Sequence, residues 1–441
     1  MTDCRCMRNR CGCRTGPHRW VAIMALAWML GGITFAGAAE GRPVPLGAPL
    51  GTQGTVGFTV QTDREYHTGP NVRALTVPIL EIPGIAAVRF SRRPTVCELE
   101  WRWARGIRTD DLTVQLPRLP GPETFFVQYA WDAAAGRLTG HVNGMPLRLA
   151  QRETPPWELP EAAQVLVAGG PFTTELVAAE PRCLDAEALR ERVPEKLLRR
   201  HADLFGGPPD AASRLGAPAR RGALLYEAPF TGPDSTVGWV MEGPGKTTFA
   251  DGWMTMASTK PNSPFKRGHI VHWCPEVFPA SFIAEWEVEV LSEHGLCIVF
   301  FAARGADGED LFDPGLPERT GVFKQYTRGA IDCYHISYYA NTPNNQGRIT
   351  SNMRKNSGFY LVANGPPGIP PESSAAHTVR LVKAGAHMQL QVDGDVVIDF
   401  TDDGDRYGAP HGAGRIGFRQ MQWTAARYRN LRVYAFERKP D

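Results

Sequence analysis

The sequence predicts an all-β protein made of two β-sandwiches joined by a short helical linker. Short strand-like runs punctuated by Gly, Pro, Asn and Asp lie on both sides of residues 184–206, the pattern of antiparallel sandwiches. Helical periodicity is nearly confined to "LDAEALRERVPEKLLRRHADLFG", where Leu184, Leu189, Val193, Leu197 and Leu198 form an apolar stripe. Two distant stretches also repeat one plan: strand, turn, strand, Asx-Gly hairpin, strand. They are "FFVQYAWDAAAGRLTGHVNGMPLRL" and "HTVRLVKAGAHMQLQVDGDVVIDF". Asn143-Gly144 and Asp393-Gly394 fall where a two-residue hairpin needs positive φ. With 441 residues and 43% hydrophobic content, two core-forming domains are the natural expectation.

The first 38 residues differ in kind. Arg5, Arg8, Arg10, Arg14 and Arg19 precede the apolar run "VAIMALAWMLGGITFAGAAE", which ends on Ala36-Gly37-Ala38. A basic region, an apolar core and a small-x-small site predict a signal peptide over residues 1–38, hence a secreted or periplasmic protein. Up to the small-x-small site the apolar run spans only Val21–Phe35, shorter than the ~20 residues of a spanning helix, so no stable membrane anchor is expected after cleavage. Cleavage removes five arginines and Asp3, turning a formal charge of +2 into −2, and such a surface does not suit nucleic acid. Cys4, Cys6, Cys11 and Cys13 leave with the leader. Cys97, Cys183, Cys274, Cys297 and Cys333 remain, without CxxC spacing, and read as buried thiols, with one disulfide as the alternative in an oxidising compartment.

The first sandwich is expected over residues 45–180. A helical, Pro- and Ala-rich linker follows over 181–220, with Pro194 breaking its helix. The second sandwich is expected over 221–441. In this second half, "GWVMEG", "HWCPEVFPASFIAEWEV", "GEDLFDP", "GVFKQYTRGAIDCYHISYY", "RKNSGFYLV" and "GRIGFRQM" occur in order. Together these strings resemble the YesU-like family of bacterial proteins, the DUF1961 domain. The meanders of both halves resemble the concanavalin A-like lectin and glucanase superfamily, LamG-like in the first half. The resemblance implies jelly rolls whose concave face holds a glycan; it supplies no reaction.

Chemistry therefore has to come from the residues. In "GAIDCYHISYYANT" the even positions Tyr334, Ile336, Tyr338 and Ala340 make the better core face. The odd positions then send His335, Ser337, Tyr339 and Asn341 into the groove; an interior, hydrogen-bonded His335 is the alternative. In "FIAEWEVEV", Ala284, Trp286, Val288 and Val290 form the core face, and Glu285, Glu287 and Glu289 line the other. That acidic row resembles the catalytic strand of glucanases, although a solvated face explains it more simply. Trp273, Glu276, Lys324, Gln325, Arg354, Lys355 and Asn356 complete the expected substrate-binding set, and the nearby cations Arg319 and Arg348 suit an anionic sugar. Glu309, Asp310 and Asp313 lie in a loop without EF-hand spacing; they are candidate ligands for a structural Ca²⁺, and no other metal or cofactor is expected.

The reading that follows is a secreted carbohydrate-recognition protein, binding a poly- or oligosaccharide in the groove of its second sandwich within polysaccharide utilisation. The alternative is a polysaccharide lyase acting on a uronate-containing glycan, with His335 or Tyr339 as base and Arg354, Lys355 or Asn356 neutralising the carboxylate. A glycoside hydrolase using two of Glu276, Glu285, Glu287 and Glu309 is the remaining possibility.

Overall fold

The computed structural model describes residues 41–104, 112–119, 121–151, 158–198, 219–342 and 350–438. The expected leader therefore lies outside the described residues, as do Arg348 and residues 199–218 of the expected linker. Among the described residues no helix is long and apolar enough to cross a membrane.

The first sandwich packs a six-stranded sheet on a five-stranded one. The first runs Arg42–Leu50, Ala162–Val167, Leu75–Ile82, Ala86–Arg93, Val96–Trp103, Leu112–Leu116. The second runs Met145–Gln151, Arg137–Val142, Glu123–Asp132, Gln53–Thr62, Phe172–Glu180. Trp101, Tyr129, Trp131 and Phe58 fill the space between them. Asn143 and Gly144 both take positive φ, as the hairpin requires.

The described part of the expected linker, residues 181–198, docks on the first sandwich. Asp185 caps the helix Ala186–Glu191 by accepting from the Ala188 amide at 2.8 Å, and Pro194 precedes a second short helix, Glu195–Leu198. Their apolar stripe packs on the first sandwich: Leu184 and Leu189 against Ala130, Val193 and Leu197 against Phe126.

The second sandwich is a jelly roll of an eight- and a seven-stranded sheet. In the larger, Gly245–Ala250, Trp253–Ser258, Ala425–Glu437, Ser281–Val290, His377–Ala384, His387–Val392 and Asp395–Thr401 lie in order, and Arg220–Ala228 adds to Ala425–Glu437. The smaller runs Val240–Glu242, Ile270–Trp273, Arg415–Gln420, Gly295–Gly305, Ile331–Asn341, Ser351–Asn356, Tyr360–Gly365. Strand parity decides what meets the core: Trp286 and Val288 from one sheet, Tyr334, Ile336 and Phe418 from the other, all buried in one cluster.

The two sandwiches touch through polar contacts. Arg354 donates to Gln115 Oε1 at 2.9 Å and to the Thr95 carbonyl at 3.4 Å. The Leu361 amide reaches Thr95 O at 3.0 Å, and Arg406 pairs with Glu65 at 2.8 Å. The hydroxyls of Thr68 and Tyr407 lie 2.8 Å apart.

Candidate functional site

The expected open groove lies on the face of the seven-stranded sheet turned away from the core, and that face is covered. A strap, residues 306–328, crosses it and ends in the one-turn helix Lys324–Thr327. Leu311, Phe312, Leu316 and Tyr326 from the strap pack on Val271, Trp273, Phe300, Ile331 and Cys333 of the sheet. Asp310 holds the strap down through Arg415 at 2.7 and 2.9 Å. Arg419, fully buried, lies 4.8 Å from the Phe323 ring and 5.0 Å from the Tyr326 ring, and burial lowers its pKa to about 10.

Each expected site residue can be placed against this geometry. His335 points to the predicted face but is 3% exposed. It is boxed by Phe300, Phe323 and Phe359, and Asn356 Nδ2 lies 2.8 Å from its Nδ1. That is the interior, hydrogen-bonded alternative. Ser337 is buried beside it and contacts the Asn352 carbonyl at 3.5 Å. Tyr339 does not share their face: a bulge opposite Cys297 and Ile298 breaks the alternation and turns it into the core, where burial pushes its pKa up to about 12. Asn341 donates to the Glu293 carbonyl at 2.8 Å.

Trp273 lies under the strap, stacked on Phe300 at 5.6 Å, and is fully buried. Gln325 ties the strap together by accepting from the Thr320 and Val322 amides, while Lys324 is exposed on its helix. Glu276 is exposed on the loop after Ile270–Trp273. Glu285 and Glu287 belong to the other sheet. Glu285 pairs with Arg221 at 2.8 Å. Glu287 is bonded by Arg429 and Asn430; burial opposes ionisation there, but these bonds outweigh it and the pKa is lowered. They form an ion-paired, partly exposed face of the eight-stranded sheet.

The loop carboxylates are turn formers: Glu309 accepts from the Asp307 amide, Asp310 from Phe312 and Asp313 from Gly315. Among the described residues no three His, Cys, Asp or Glu side chains converge to hold a metal. The five described cysteines are free, and burial raises the pKa of Cys97, Cys274, Cys297 and Cys333 to about 12.

Arg354 and Lys355 are expected in one cluster, but adjacent strand residues point to opposite faces. Arg354 pairs in register with His335 and leaves toward the first sandwich, its guanidinium 3.8 Å from the Phe359 ring. Lys355 pairs with Tyr334 and turns inward. Its Nζ donates to Asp402 Oδ2 at 2.7 Å and to the carbonyls of Gly408 and Ala409. Tyr334 donates to the same Asp402 oxygen at 2.5 Å, and burial and the adjacent carboxylate raise its pKa. The His411 amide donates to Tyr334 Oη at 3.0 Å.

This buried network backs a cleft of about 390 Å³ at the end of the sheet, bordered by Arg304, Asp332, Asn356, Tyr407 and the loop 408–413. His411 is half-buried in its wall, with Nε2 2.7 Å from the Asn356 carbonyl. A carbonyl can only accept, so Nε2 carries the proton and a neutral ring keeps its lone pair on Nδ1. Burial first and Lys355 second lower the His411 pKa, favouring that neutral ring. Arg304 is fixed by donating to Ala413 O and Gly308 O, and Asp332 by accepting from the Ser357 amide. Of the expected residues, Lys355 and Asn356 reach this cleft. Sequence reading missed Arg304, Asp332, Tyr407 and His411. The signal for two of them was the turn-rich run "DDGDRYGAPHGAG", a loop carrying a phenol and an imidazole at a sandwich end.

The strands that build this cleft and its network lie within residues 223–433, which match the model of a domain of unknown function, DUF1961. Over 223 residues the chain is 35% identical to the uncharacterized protein YesU of Bacillus subtilis (strain 168), covering 99% of that protein and 50% of this one. The chain belongs to the DUF1961 family. A Bacillus subtilis protein of unknown function with a galectin-like fold aligns at TM-score 0.46 and 34% identity, over 50% of this chain and 100% of that one. The carbohydrate binding module CBM66 from Bacillus subtilis aligns at TM-score 0.30 and 12% identity, over 45% and 96%. A Bacillus licheniformis beta-glucanase aligns at 0.32 and 13%, over 50% and 100%. The YesU match leaves half of this DUF1961 chain unaccounted for, and the family model begins at residue 223, after the first sandwich.

Proposed function

We propose that the protein recognises a poly- or oligosaccharide and holds a sugar residue in the cleft beside His411. The observation that supports this most directly is the fixed array of polar groups around about 390 Å³: the His411 ring locked by Asn356, the anchored Arg304 and Asp332, and the exposed loop backbone. Hydroxyl-rich ligands need donors and acceptors of fixed direction, and groups already oriented lose little entropy on binding. The Arg-rich start, apolar run and Ala36-Gly37-Ala38 support export through a signal peptide, which would bring the protein to where polysaccharides are met.

A second reading, β-elimination from a uronate-containing glycan, is favoured by one observation: the His411 tautomer leaves Nδ1 as a proton acceptor. It replaces His335 and Tyr339, which are packed away, as the expected base. Isothermal titration against neutral and acidic oligosaccharides, with His411→Ala beside the parent, tests recognition. Binding by the parent and at least tenfold weakening in the variant are expected; parental binding unchanged in the variant would place the site elsewhere. Appearance of an unsaturated sugar's ultraviolet absorbance would move the reading from recognition to cleavage.

A further inference from the structure

A second cleft, of about 610 Å³, opens on the far side of the strap between residues 241–244, 318–322 and the loop that carries Lys260 and Arg267. Its floor is built by backbone packed on backbone: a side chain on Gly243 or Gly321 would collide with the His269 carbonyl, so three segments meet with nothing between them. The floor is charged but internally balanced. Arg319 and Glu242, each with a side chain 8% exposed, pair at 2.8 Å through Glu242 Oε1, and Glu242 Oε2 is buried without a hydrogen-bond partner.

The lip carries the charge that is left over. Gly268 backs onto the Lys260 carbonyl, which brings the two ends of the 260–268 loop together, and both Lys260 and Arg267 are exposed there. Gln422 pins the loop, accepting from the Gly268 amide and donating to the Ser263 carbonyl. Thr259 closes its base on Pro244 O at 2.8 and 3.0 Å. On this anchored loop Phe265 and Lys266 both take left-handed φ, 57° and 58°, a conformation that costs an L-residue energy wherever it is held. The result is a phenyl ring 86% exposed, 5.8 Å from the Arg267 guanidinium. Glu318 stands against the two cations as the acidic residue of the rim.

We propose that this second cleft binds a carboxylate-bearing sugar, its carboxylate met by Lys260 and Arg267 and one face of its ring laid on Phe265. A guanidinium and an ammonium on one lip suit a carboxylate. An exposed aromatic ring beside Arg267, at the edge of the lip, offers an apolar face to the C–H side of a pyranose, and Glu318 can accept from its hydroxyls. A neutral sugar satisfies the ring and the acceptor but leaves both cations unmatched, so the cleft selects for acidic residues. The proposal shares its ligand class with the reading above but none of its residues, and the two fail separately.

Isothermal titration with hexuronate tri- to hexasaccharides, and with neutral glucose oligosaccharides of equal length, decides it on the full chain. The acidic series should bind more tightly than the neutral one and weaken as salt rises. Lys260→Ala/Arg267→Ala should weaken acidic binding at least tenfold, and Phe265→Ala should weaken it several-fold. All three side chains are exposed, so the fold should be kept, and matching melting curves verify that. In His411→Ala, which alters the first cleft alone, the salt-sensitive preference for the acidic series should remain. Failure of every hexuronate to bind, or a double variant that keeps the parent's salt-sensitive preference for hexuronates, overturns the proposal. Binding lost in His411→Ala but kept in the double variant also overturns it and assigns the ligand to the first cleft.

Discussion

The ammonium of Lys355 and the carboxylate of Asp402 lie 2.7 Å apart with side chains 2% and 1% exposed. Their surroundings complete the pairing: Tyr334 donates to the same carboxylate oxygen, and Lys355 spends its other donors on two loop carbonyls. Removing one partner strands the other charge in the interior, so Asp402→Ala should cost about 3–5 kcal/mol. Tyr334→Phe removes one charge-assisted bond and should cost about 1.5–3 kcal/mol. Urea titrations followed by tryptophan fluorescence measure both, and an Asp402→Ala midpoint equal to the parent's would contradict the network.

His411 should make binding in the first cleft pH-dependent. Its pKa is lowered from 6.5 by burial and by Lys355, with Asp332 and Asp402 opposing. The neutral ring therefore prevails at neutral pH, and protonation, which turns the Nδ1 acceptor into a donor, comes only below pH 6.5. Affinity should be flat above that value and fall below it. In His411→Gln the remaining pH dependence should flatten, measured as Kd against pH.

Three further histidines bear on stability. His141, His269 and His272 are buried, and desolvation lowers their pKa values to about 4, 3 and 4. Between pH 6.5 and about 4 the unfolded chain takes up protons that the folded chain refuses, so stability drops as pH falls through that window. Each contributes about 1 kcal/mol per pH unit. Both ring nitrogens of His141 lack partners, so His141→Phe should reduce the acid slope without removing a hydrogen bond. Denaturant titrations at pH 7, 6 and 5 give the slope.

The two sandwiches should stay together after the chain is cut between them. Arg354 binds Gln115, Thr95 and Phe359 at once and stacks on Phe359. Proteolysis within residues 199–218 should therefore yield two fragments that co-elute on gel filtration. Arg354→Ala with Arg406→Ala should let them separate.

Ile336→Ala should cost roughly 2–5 kcal/mol, because Ile336 is fully buried in the core between the sheets. His335→Ala should also destabilise, by about 1–3 kcal/mol, since it leaves the buried Asn356 amide short of a partner. Thermal melts of the two variants test this; a His335→Ala protein as stable as its parent would restore His335 to an open surface.

How much of this was legible depended on range. Alternation along Ile331–Asn341 and Ser281–Val290 placed Tyr334, Ile336, Trp286 and the glutamate row correctly, because a strand's parity is a local property. The same rule failed at Tyr339, where a bulge set by pairing with Gly295–Gly305 broke the period. Turn chemistry gave both Asx-Gly hairpins for the same local reason. What could not be read was anything that arrives from far along the chain. The strap that buries Trp273 and His335, the Asp402 that captures Lys355, and the Gln115 that captures Arg354 are set by tertiary packing. Residues 184–198 looked like a connector because amphipathicity shows that a face is buried, not what buries it.

The contact between Arg354 and the first sandwich also bears on the order of assembly. Synthesis runs from the N-terminus, and domains generally fold as units in that order. Gln115 and Thr95 can thus be set in a finished sheet before residues 351–365 leave the ribosome. For that stretch the first sandwich is a ready-made template: Thr95 O waits for the Leu361 amide, and Gln115 for the Arg354 guanidinium. YesU aligns over 99% of its length yet accounts for only half of this chain, and the shared domain model starts beyond the first sandwich. The later-made half of the present protein can therefore draw on contacts supplied by its own earlier-made half, and its refolding rate as a separate piece should be slower than within the whole.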